Sequence, residues 1–190
     1  DLVFAPPGLA AIAIARHNYQ PVVPLEGKAQ TRSVIVVKND SNFKQLGDLA
    51  GETIALGEKG SATGYYLPLY NLYGVNLAEI ALAPTPQEIL KWLEEGKVAA
   101  GALSVADYSF YRRNYPPNRF REIYLDERPV PPGAVLISDR LESNQQAKII
   151  VVLSQTPSFI AASAGFLPKE KLPDYNYLIK VLERVEEISQ

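Results

Sequence analysis

The segment with the clearest chemical potential is a short loop, Gly60-Ser61-Ala62-Thr63-Gly64, which follows a predicted strand and precedes a predicted helix. The first backbone N–H groups of a helix have no partner inside the helix, and the helix dipole places partial positive charge beside them. The glycines let the backbone approach a ligand closely, and the two hydroxyls add donors that rotate toward it. This pattern predicts an anion-binding loop.

A simpler interpretation of the loop remains open, in which Ser61 only caps the helix that starts near Tyr65. The loop has neither the lysine of a P-loop nor the glycine spacing of a dinucleotide-binding turn, so it is not a nucleotide motif. Tyr65 and Tyr66 would either close over a ligand or pack against the core. Asp107, near the end of a later predicted strand, would either reach a cleft or cap a helix.

The composition excludes several other kinds of chemistry. The 190 residues include no cysteine, no methionine and one histidine, His17, which excludes disulfides, thiol nucleophiles and a histidine cluster that binds zinc. The net charge of −2 argues against nucleic acid as a partner, because phosphate-backbone binders need a concentrated basic surface. No run approaches the roughly 20 apolar residues of a membrane span. We therefore expect no metal and no cofactor. A Ser-His-Asp triad stays formally possible, but the sequence has no G-x-S-x-G elbow to present the serine.

The elements that must position the loop alternate between strands and helices. Buried or β-branched runs predict strands at 1–5, 33–37, 52–56, 80–83, 98–103, 120–125 and 134–137. Apolar periodicity predicts helices at 9–15, 65–73, 86–95, 145–153 and 174–188, with a further helix opening at 104–107. Alternation with short loops predicts an α/β fold with a largely parallel sheet.

Two of these helices carry sharp boundary signals. Gly74 is placed as the left-handed stop of the helix at 65–73. Thr85 as the cap, Pro86 at the first helical position and Glu88 three residues after the cap predict a helix start with a capping box.

The order of several motifs resembles the phosphate, phosphite and phosphonate substrate-binding proteins of ABC importers, which have a type 2 periplasmic-binding-protein fold. The loop with the tyrosine after it resembles the Ser-Thr-Ser-Gly-Tyr loop of that family. Residues 46–55 (LGDLAGETIA) resemble its L-x-D-L-x-G-K-x-I-A segment, and residues 95–102 (EGKVAAGA) its N-G-K-V-D-A-G-A segment. Residues 165–168 (GFLP), followed by Asp174-Tyr175, resemble its C-terminal segment. The similarity covers essentially the whole chain.

The resemblance implies two lobes that close over a solute, with the second lobe complete and the N-terminal part of the first lobe missing. It places residues 1–38 in the first lobe and its crossing strand, residues 39–132 in the second lobe, and residues 133–190 in the returning part of the first lobe. It implies a periplasmic or lipid-anchored extracytoplasmic protein that is not an enzyme and delivers its ligand to an ABC permease. A ligand-sensing effector domain of a regulator or receptor is the alternative, and an enzyme on the same fold is a more distant one.

The ligand-binding residues that we expect are Gly60, Ser61, Ala62, Thr63, Gly64, Tyr65 and Asp107. The chain also departs from the family pattern. Ala62 lacks the central hydroxyl of the loop, and Pro86 replaces a histidine of aminophosphonate binders. Ala106 and Gly133 replace acidic residues that would bind a ligand amine, although Asp107 is one position away. The resemblance therefore favours phosphate, phosphite or a simple phosphonate over an aminoalkylphosphonate.

Overall fold

The computed structural model describes residues 1–27 and 31–188, and the chain divides into two compact units. The first unit comprises Asp1–Ala29 and Pro131–Glu183, and the second comprises Gln30–Val130 and Arg184–Gln190. The strands are β1 (Leu2–Ala5), β2 (Tyr19–Pro24), β3 (Ser33–Lys38), β4 (Thr53–Leu56), β5 (Glu79–Leu82), β6 (Ala100–Ser104), β7 (Phe120–Leu125) and β8 (Ala134–Ser138). The α-helices are α1 (Pro7–His17), α2 (Leu67–Asn71), α3 (Pro86–Glu94), α4 (Val105–Tyr111), α5 (Ser143–Gln155), α6 (Ser158–Ser163) and α7 (Asn176–Ile188).

The first unit is built on an antiparallel sheet with the strand order β1-β8-β2. Its central strand β8 is buried along its whole length. Strand β2 was not predicted, because Pro21 and Pro24 cannot donate ladder hydrogen bonds and so argue against a strand. The structure accommodates them on an edge strand, with a break in register between Pro21 and Val23.

The second unit is built on a five-stranded sheet with the order β5-β4-β6-β3-β7. Residues of β3 alternate between two core clusters, with Val34 and Val36 in one and Ile35 and Val37 in the other. Helices α3 and α4 contribute to the first cluster, and the segment around α2 packs against the second. Because both faces of the sheet are covered, the residues of β3 from Val34 to Val37 are all apolar rather than alternating with polar ones.

The prediction of a largely parallel sheet is wrong for the strand pairs that the structure describes. Strand β4 pairs in parallel with β5 and β6, but β3 pairs antiparallel with both β6 and β7. The sheet of the first unit is antiparallel as well. Alternation of strands and helices in a sequence does not record strand direction. Strand β3 runs against β4, β5 and β6, whereas β7, which is antiparallel to β3, runs in the same direction as those three strands.

The boundary signals of two helices give different outcomes. Gly74 has a φ of 86°, as the predicted left-handed stop requires. The Thr85 hydroxyl accepts the Glu88 N–H at 3.2 Å, so the predicted cap is confirmed. The second half of the capping box is wrong, because the Glu88 carboxylate instead accepts hydrogen bonds from Trp92 Nε1 at 2.9 Å and Lys91 Nζ at 3.0 Å.

Within the described ranges, no helix combines the length and the apolar character needed to cross a membrane.

The buried phenol of Tyr175 makes the first unit sensitive to alkaline pH. Its hydroxyl donates to the Pro132 carbonyl oxygen at 2.7 Å, and burial raises its pKa above the ordinary value of 10.0. The unfolded chain therefore loses this proton at a lower pH than the folded protein. The stabilisation is complete below about pH 10 and falls as the pH rises further.

We expect Tyr175→Phe to lower the free energy of unfolding by about 1 kcal/mol at neutral pH, because the Pro132 carbonyl loses its donor. Phenylalanine does not titrate, so the deficit of the variant should shrink as the pH rises above about 10. Urea unfolding across this pH range is the measurement, with the exposed Tyr73→Phe as the control. A deficit that stays constant with pH would contradict the assignment.

Candidate anion-binding site

The carboxyl ends of three strands meet at one edge of the second unit's sheet. Strands β4, β5 and β6 are parallel, so their carboxyl ends point the same way. Each strand then leads into a helix: β4 into the helical segment that ends as α2, β5 into α3, and β6 directly into α4. The crevice outside the carboxyl ends of such strands is the usual ligand position in open α/β sheets.

A cavity of about 150 Å³ lies at this edge. Its walls come from the loop after β4, the connection from β5 to α3, and the junction of β6 with α4. The lining residues are Gly57, Glu58, Ser61, Thr63, Gly64, Ala83, Pro84, Thr85, Pro86, Ile89, Ala102, Leu103, Ser104 and Asp107. Since a space of roughly 10–15 Å³ is enough for one water, the cavity accommodates a tetrahedral oxyanion of five heavy atoms.

Each of the three helical segments begins with a hydroxyl-bearing cap. Ser61 Oγ accepts the Gly64 N–H at 3.0 Å, Thr85 Oγ1 accepts the Glu88 N–H at 3.2 Å, and Ser104 Oγ accepts the Asp107 N–H at 3.0 Å. A hydroxyl that accepts in this way keeps its own proton for another acceptor. The described residues provide no acceptor for the protons of Ser61 and Thr85, so both can donate into the cavity.

The loop after β4 is shaped by one glycine and one wide helical turn. Gly60 has a φ of 104°, a conformation that residues with a side chain rarely adopt. Residues Ala62–Tyr66 form a π-helical turn, in which the Tyr66 N–H donates to the Ser61 carbonyl oxygen at 3.0 Å. The N–H groups of Ala62 and Thr63 find no acceptor among the described residues. This turn therefore presents unpaired donors at the start of a helix.

Ser33 fixes the orientation of the loop and was missed in the sequence. Its hydroxyl donates to the Thr63 carbonyl oxygen at 2.6 Å, and the residue is 1% exposed. Ser33 also pairs with Ser104 in the sheet, so the first residue of β3 lies at the same edge as the end of β6. The only signal in the sequence was a serine at the start of an otherwise apolar strand.

Four of the seven predicted ligand-binding residues line the cavity: Ser61, Thr63, Gly64 and Asp107. Gly60, Ala62 and Tyr65 do not. Gly60 and Ala62 are buried, and Tyr65 packs against the core cluster that contains Leu72. Direct contact of all seven residues with a ligand stays a prediction. Thr85, Ser104 and Glu58 line the cavity but were not predicted as site residues.

The charge of the cavity comes from two carboxylates and from helix ends. Among the described lining residues no side chain is basic, whereas Asp107 is partly buried and Glu58 is exposed. Positive potential is supplied by the backbone at the three helix N-termini. Ser104 Oγ also donates to Asp107 Oδ2 at 2.6 Å, so the proton of this third hydroxyl is already bound. Across the part of the chain that the structure describes, no group of three or more metal-ligating side chains occurs.

Solved structures share this fold. The protein XAC2383 from Xanthomonas citri, solved bound to chloride ion, has a TM-score of 0.80 at 22% identity over 98% of this chain and 78% of its own. PhnD1 from Prochlorococcus marinus, solved with methylphosphonate, has a TM-score of 0.66 at 17% identity over 98% of this chain and 79% of its own. The aliphatic sulphonate-binding protein SsuA from Escherichia coli has a TM-score of 0.62 at 17% identity over 100% of this chain and 74% of its own. The fold is thus that of type 2 periplasmic binding proteins.

No curated protein matches the sequence at a significant level. A family model does match, over residues 1–158, and its description is "ABC transporter, phosphonate, periplasmic substrate-binding protein". The match confirms the resemblance that the loop and its flanking motifs indicated. The chain belongs to the phosphonate family of periplasmic substrate-binding proteins of ABC transporters.

Proposed function

We propose that this protein captures a small phosphorus oxyanion, either phosphate, phosphite or a simple phosphonate, at the cavity of the second unit. The ligand is then delivered to an ABC permease in the membrane, and the protein acts outside the cytoplasm, either free in the periplasm or lipid-anchored. Its work is reversible binding without covalent chemistry. Closure of two lobes over the ligand stays a prediction that the family resemblance implies.

The observation that carries the proposal is the meeting of three capped helix N-termini at one cavity. The Ser61 and Thr85 hydroxyls and the Thr63 N–H supply donors without an internal acceptor in the described chain. Partial positive charge from the helix ends balances the ligand's negative charge without a lysine or arginine. Such a site holds an oxyanion by hydrogen bonds and dipoles, which suits a carrier that must release its ligand.

Relatives with the same fold support an anionic ligand. PhnD1 was solved with methylphosphonate, and XAC2383 was solved with chloride ion and also with ATP. SsuA binds aliphatic sulphonates. All of these ligands are anions, but they include both phosphorus and sulfur compounds. The neighbours therefore support the charge of the ligand more strongly than the element at its centre.

Calorimetric titration of the full-length protein with phosphate, phosphite and methylphosphonate tests the proposal, with ATP as a comparison. We expect at least one of the three small oxyanions to bind at a single site. Absence of binding by all three, or binding of ATP alone, would contradict a site for small phosphorus oxyanions.

The Ser61 hydroxyl is the first group to remove. We expect Ser61→Ala to weaken binding of the preferred oxyanion by roughly 1–3 kcal/mol, because a hydrogen bond to a charged oxygen is lost. The matched control is Ser163→Ala, whose hydroxyl donates to the Phe159 carbonyl oxygen in the first unit. An unchanged affinity in folded Ser61→Ala would leave Ser61 with a capping role alone.

A further inference from the structure

The helical segment that carries the donors of the loop is held at both of its ends. It runs without a break from the π-helical turn into α2. At its start, the Thr63 carbonyl oxygen accepts the Ser33 hydroxyl at 2.6 Å. At its end, Asn71 Nδ2 donates to Asp126 Oδ2 at 2.8 Å. Both contacts come from strands outside the segment, since Ser33 begins β3 and Asp126 directly follows β7.

Asp126 also joins these two contacts to each other. Its backbone N–H donates to the Ser33 carbonyl oxygen at 2.9 Å, while its carboxylate accepts the Asn71 amide. The other carboxylate oxygen accepts the Arg128 N–H at 3.1 Å. Asp126 is 3% exposed, and a buried acceptor that loses its donor is costly. Movement of Asn71 away from Asp126 is therefore strongly disfavoured.

The amide of Asn71 has a defined orientation. Its Oδ1 accepts the Tyr124 hydroxyl at 3.0 Å, and its Nδ2 faces the Asp126 carboxylate. A reversed amide would place its oxygen against that carboxylate, which is an acceptor as well. The end of α2 is thus fixed by two directional hydrogen bonds rather than by apolar packing alone.

Fixed ends matter because the segment begins with a π-helical turn. Such turns are rare, and they can relax toward α-helical hydrogen bonding when nothing opposes it. Relaxation would rotate the start of the segment and redirect the Ser61 hydroxyl and the Thr63 N–H, which are donors at the cavity. Binding groups keep a productive geometry only when the groups behind them are fixed too.

We propose that the hydrogen bond from Asn71 to Asp126 is a positioning contact for oxyanion capture. Neither side chain lines the cavity, so the contact acts only by holding the donor segment in place. This inference rests on the proposed function, because it assumes that the cavity is the oxyanion site.

Exchanging the two side-chain groups tests the contact. Asn71→Asp sets one carboxylate against another and should push the end of α2 away from Asp126. The double variant Asn71→Asp/Asp126→Asn restores a donor opposite an acceptor. The carboxylate at position 71 then accepts from Tyr124 and from the new amide, whose oxygen still accepts the Arg128 N–H. The double variant also has the net charge of the wild type.

The probe is whichever of phosphate, phosphite and methylphosphonate binds the full-length wild-type protein most tightly in calorimetric titration. Groups that orient binding residues from behind are worth roughly 10- to 100-fold in affinity at metal sites. We expect Asn71→Asp to weaken oxyanion binding at least about 10-fold, and the double variant to return to within about 3-fold of wild type. Asn76→Asp adds the same charge at an exposed position beyond α2, and it should also stay within about 3-fold.

A second control separates positioning from stability. Tyr175→Phe weakens the first unit without touching the donor segment, so it should keep the wild-type affinity. A loss of affinity in this variant as large as that of Asn71→Asp would show that binding follows stability alone and would overturn the positioning role.

The remaining outcomes distinguish the two proposals. If none of the three oxyanions binds the wild type, the proposed function fails and the positioning role falls with it. If the wild type binds but folded Asn71→Asp binds equally well, or if the double variant stays as weak as Asn71→Asp, only the positioning role is overturned. Should Asn71→Asp not fold, Asn71→Leu replaces it, because leucine is similar in size and removes both hydrogen bonds without adding a charge. Wild-type affinity in Asn71→Leu would overturn the role equally.

Discussion

Replacing Gly133 with alanine is expected to lower the free energy of unfolding of the first unit by about 3 kcal/mol, which would be the largest effect predicted for a single methyl group in this chain. A Cβ at this position would collide with the carbonyl oxygen of Ala5 and would lie 3.1 Å from Pro6 Cα. Both atoms are backbone, so neither moves aside by a change of rotamer. The Gly133 carbonyl oxygen also accepts the Leu25 N–H at 2.8 Å, which ties the segment to a second neighbour.

Gly47→Ala is the matched control for this substitution. Gly47 has no atom within 4 Å of the position that a Cβ would occupy and has no positive φ. Alanine there should change the free energy of unfolding by less than about 0.5 kcal/mol. Scanning calorimetry of both variants measures the difference. A Gly133→Ala protein whose free energy of unfolding lies within about 1 kcal/mol of wild type would contradict the prediction. It would show that the segment from Ala5 to Pro6 moves away from residue 133 at little cost in free energy.

Gly101→Ala is expected to destabilise the second unit by about 2 kcal/mol through contact between the sheet and α3. Gly101 lies on β6, and a Cβ there would collide with Cγ2 of Ile89. Ile89 is 1% exposed and is packed in the core cluster, so its branched side chain has little room to turn. Because Thr85 and Ile89 both line the cavity, displacement of α3 should also weaken oxyanion binding.

Ile89→Leu provides the rescue. Leucine has no methyl group on Cβ, so the double variant Gly101→Ala/Ile89→Leu removes the atom that collides. We expect a favourable coupling of about 1 kcal/mol or more between the two substitutions in a double-mutant cycle, measured by urea unfolding. Additive effects would show that the cost of Gly101→Ala arises somewhere other than at Ile89.

Much of the fold was predictable because its signals are local. The run at 33–37 is apolar at every position after Ser33, which indicates a strand buried on both faces, and the structure confirms it. Strand β2 was not predictable in the same way. Its prolines contradict a strand locally, and only the place at the sheet edge beside β8 makes them acceptable. Strand direction could not be predicted from local patterns either, because it depends on which strands become neighbours in the sheet.

In the candidate site, too, the features carried by one contiguous segment were predictable, and those that depend on strand pairing were not. The loop from Gly60 to Gly64 is contiguous, so its composition was visible in the sequence. Thr85 and Ser104 were visible only as caps of separate helices. That these caps share one cavity follows from the parallel pairing of β4 with β5 and β6, which no local pattern records. Likewise, the contact from Ser33 to Thr63 joins residues 30 positions apart.

The π-helical turn at Ala62–Tyr66 has an evolutionary consequence. Such a turn holds one residue more than an α-helical turn would, so a deletion of one residue could close it without breaking the helix that follows. Since each residue of an α-helix turns the chain by about 100°, the deletion would rotate Ser61 and Thr63 away from the positions that they occupy relative to Leu67. Relatives with a loop one residue shorter would then present different hydroxyls to the same cavity. The length of the segment therefore decides, together with the identity of its residues, which hydroxyls face the cavity.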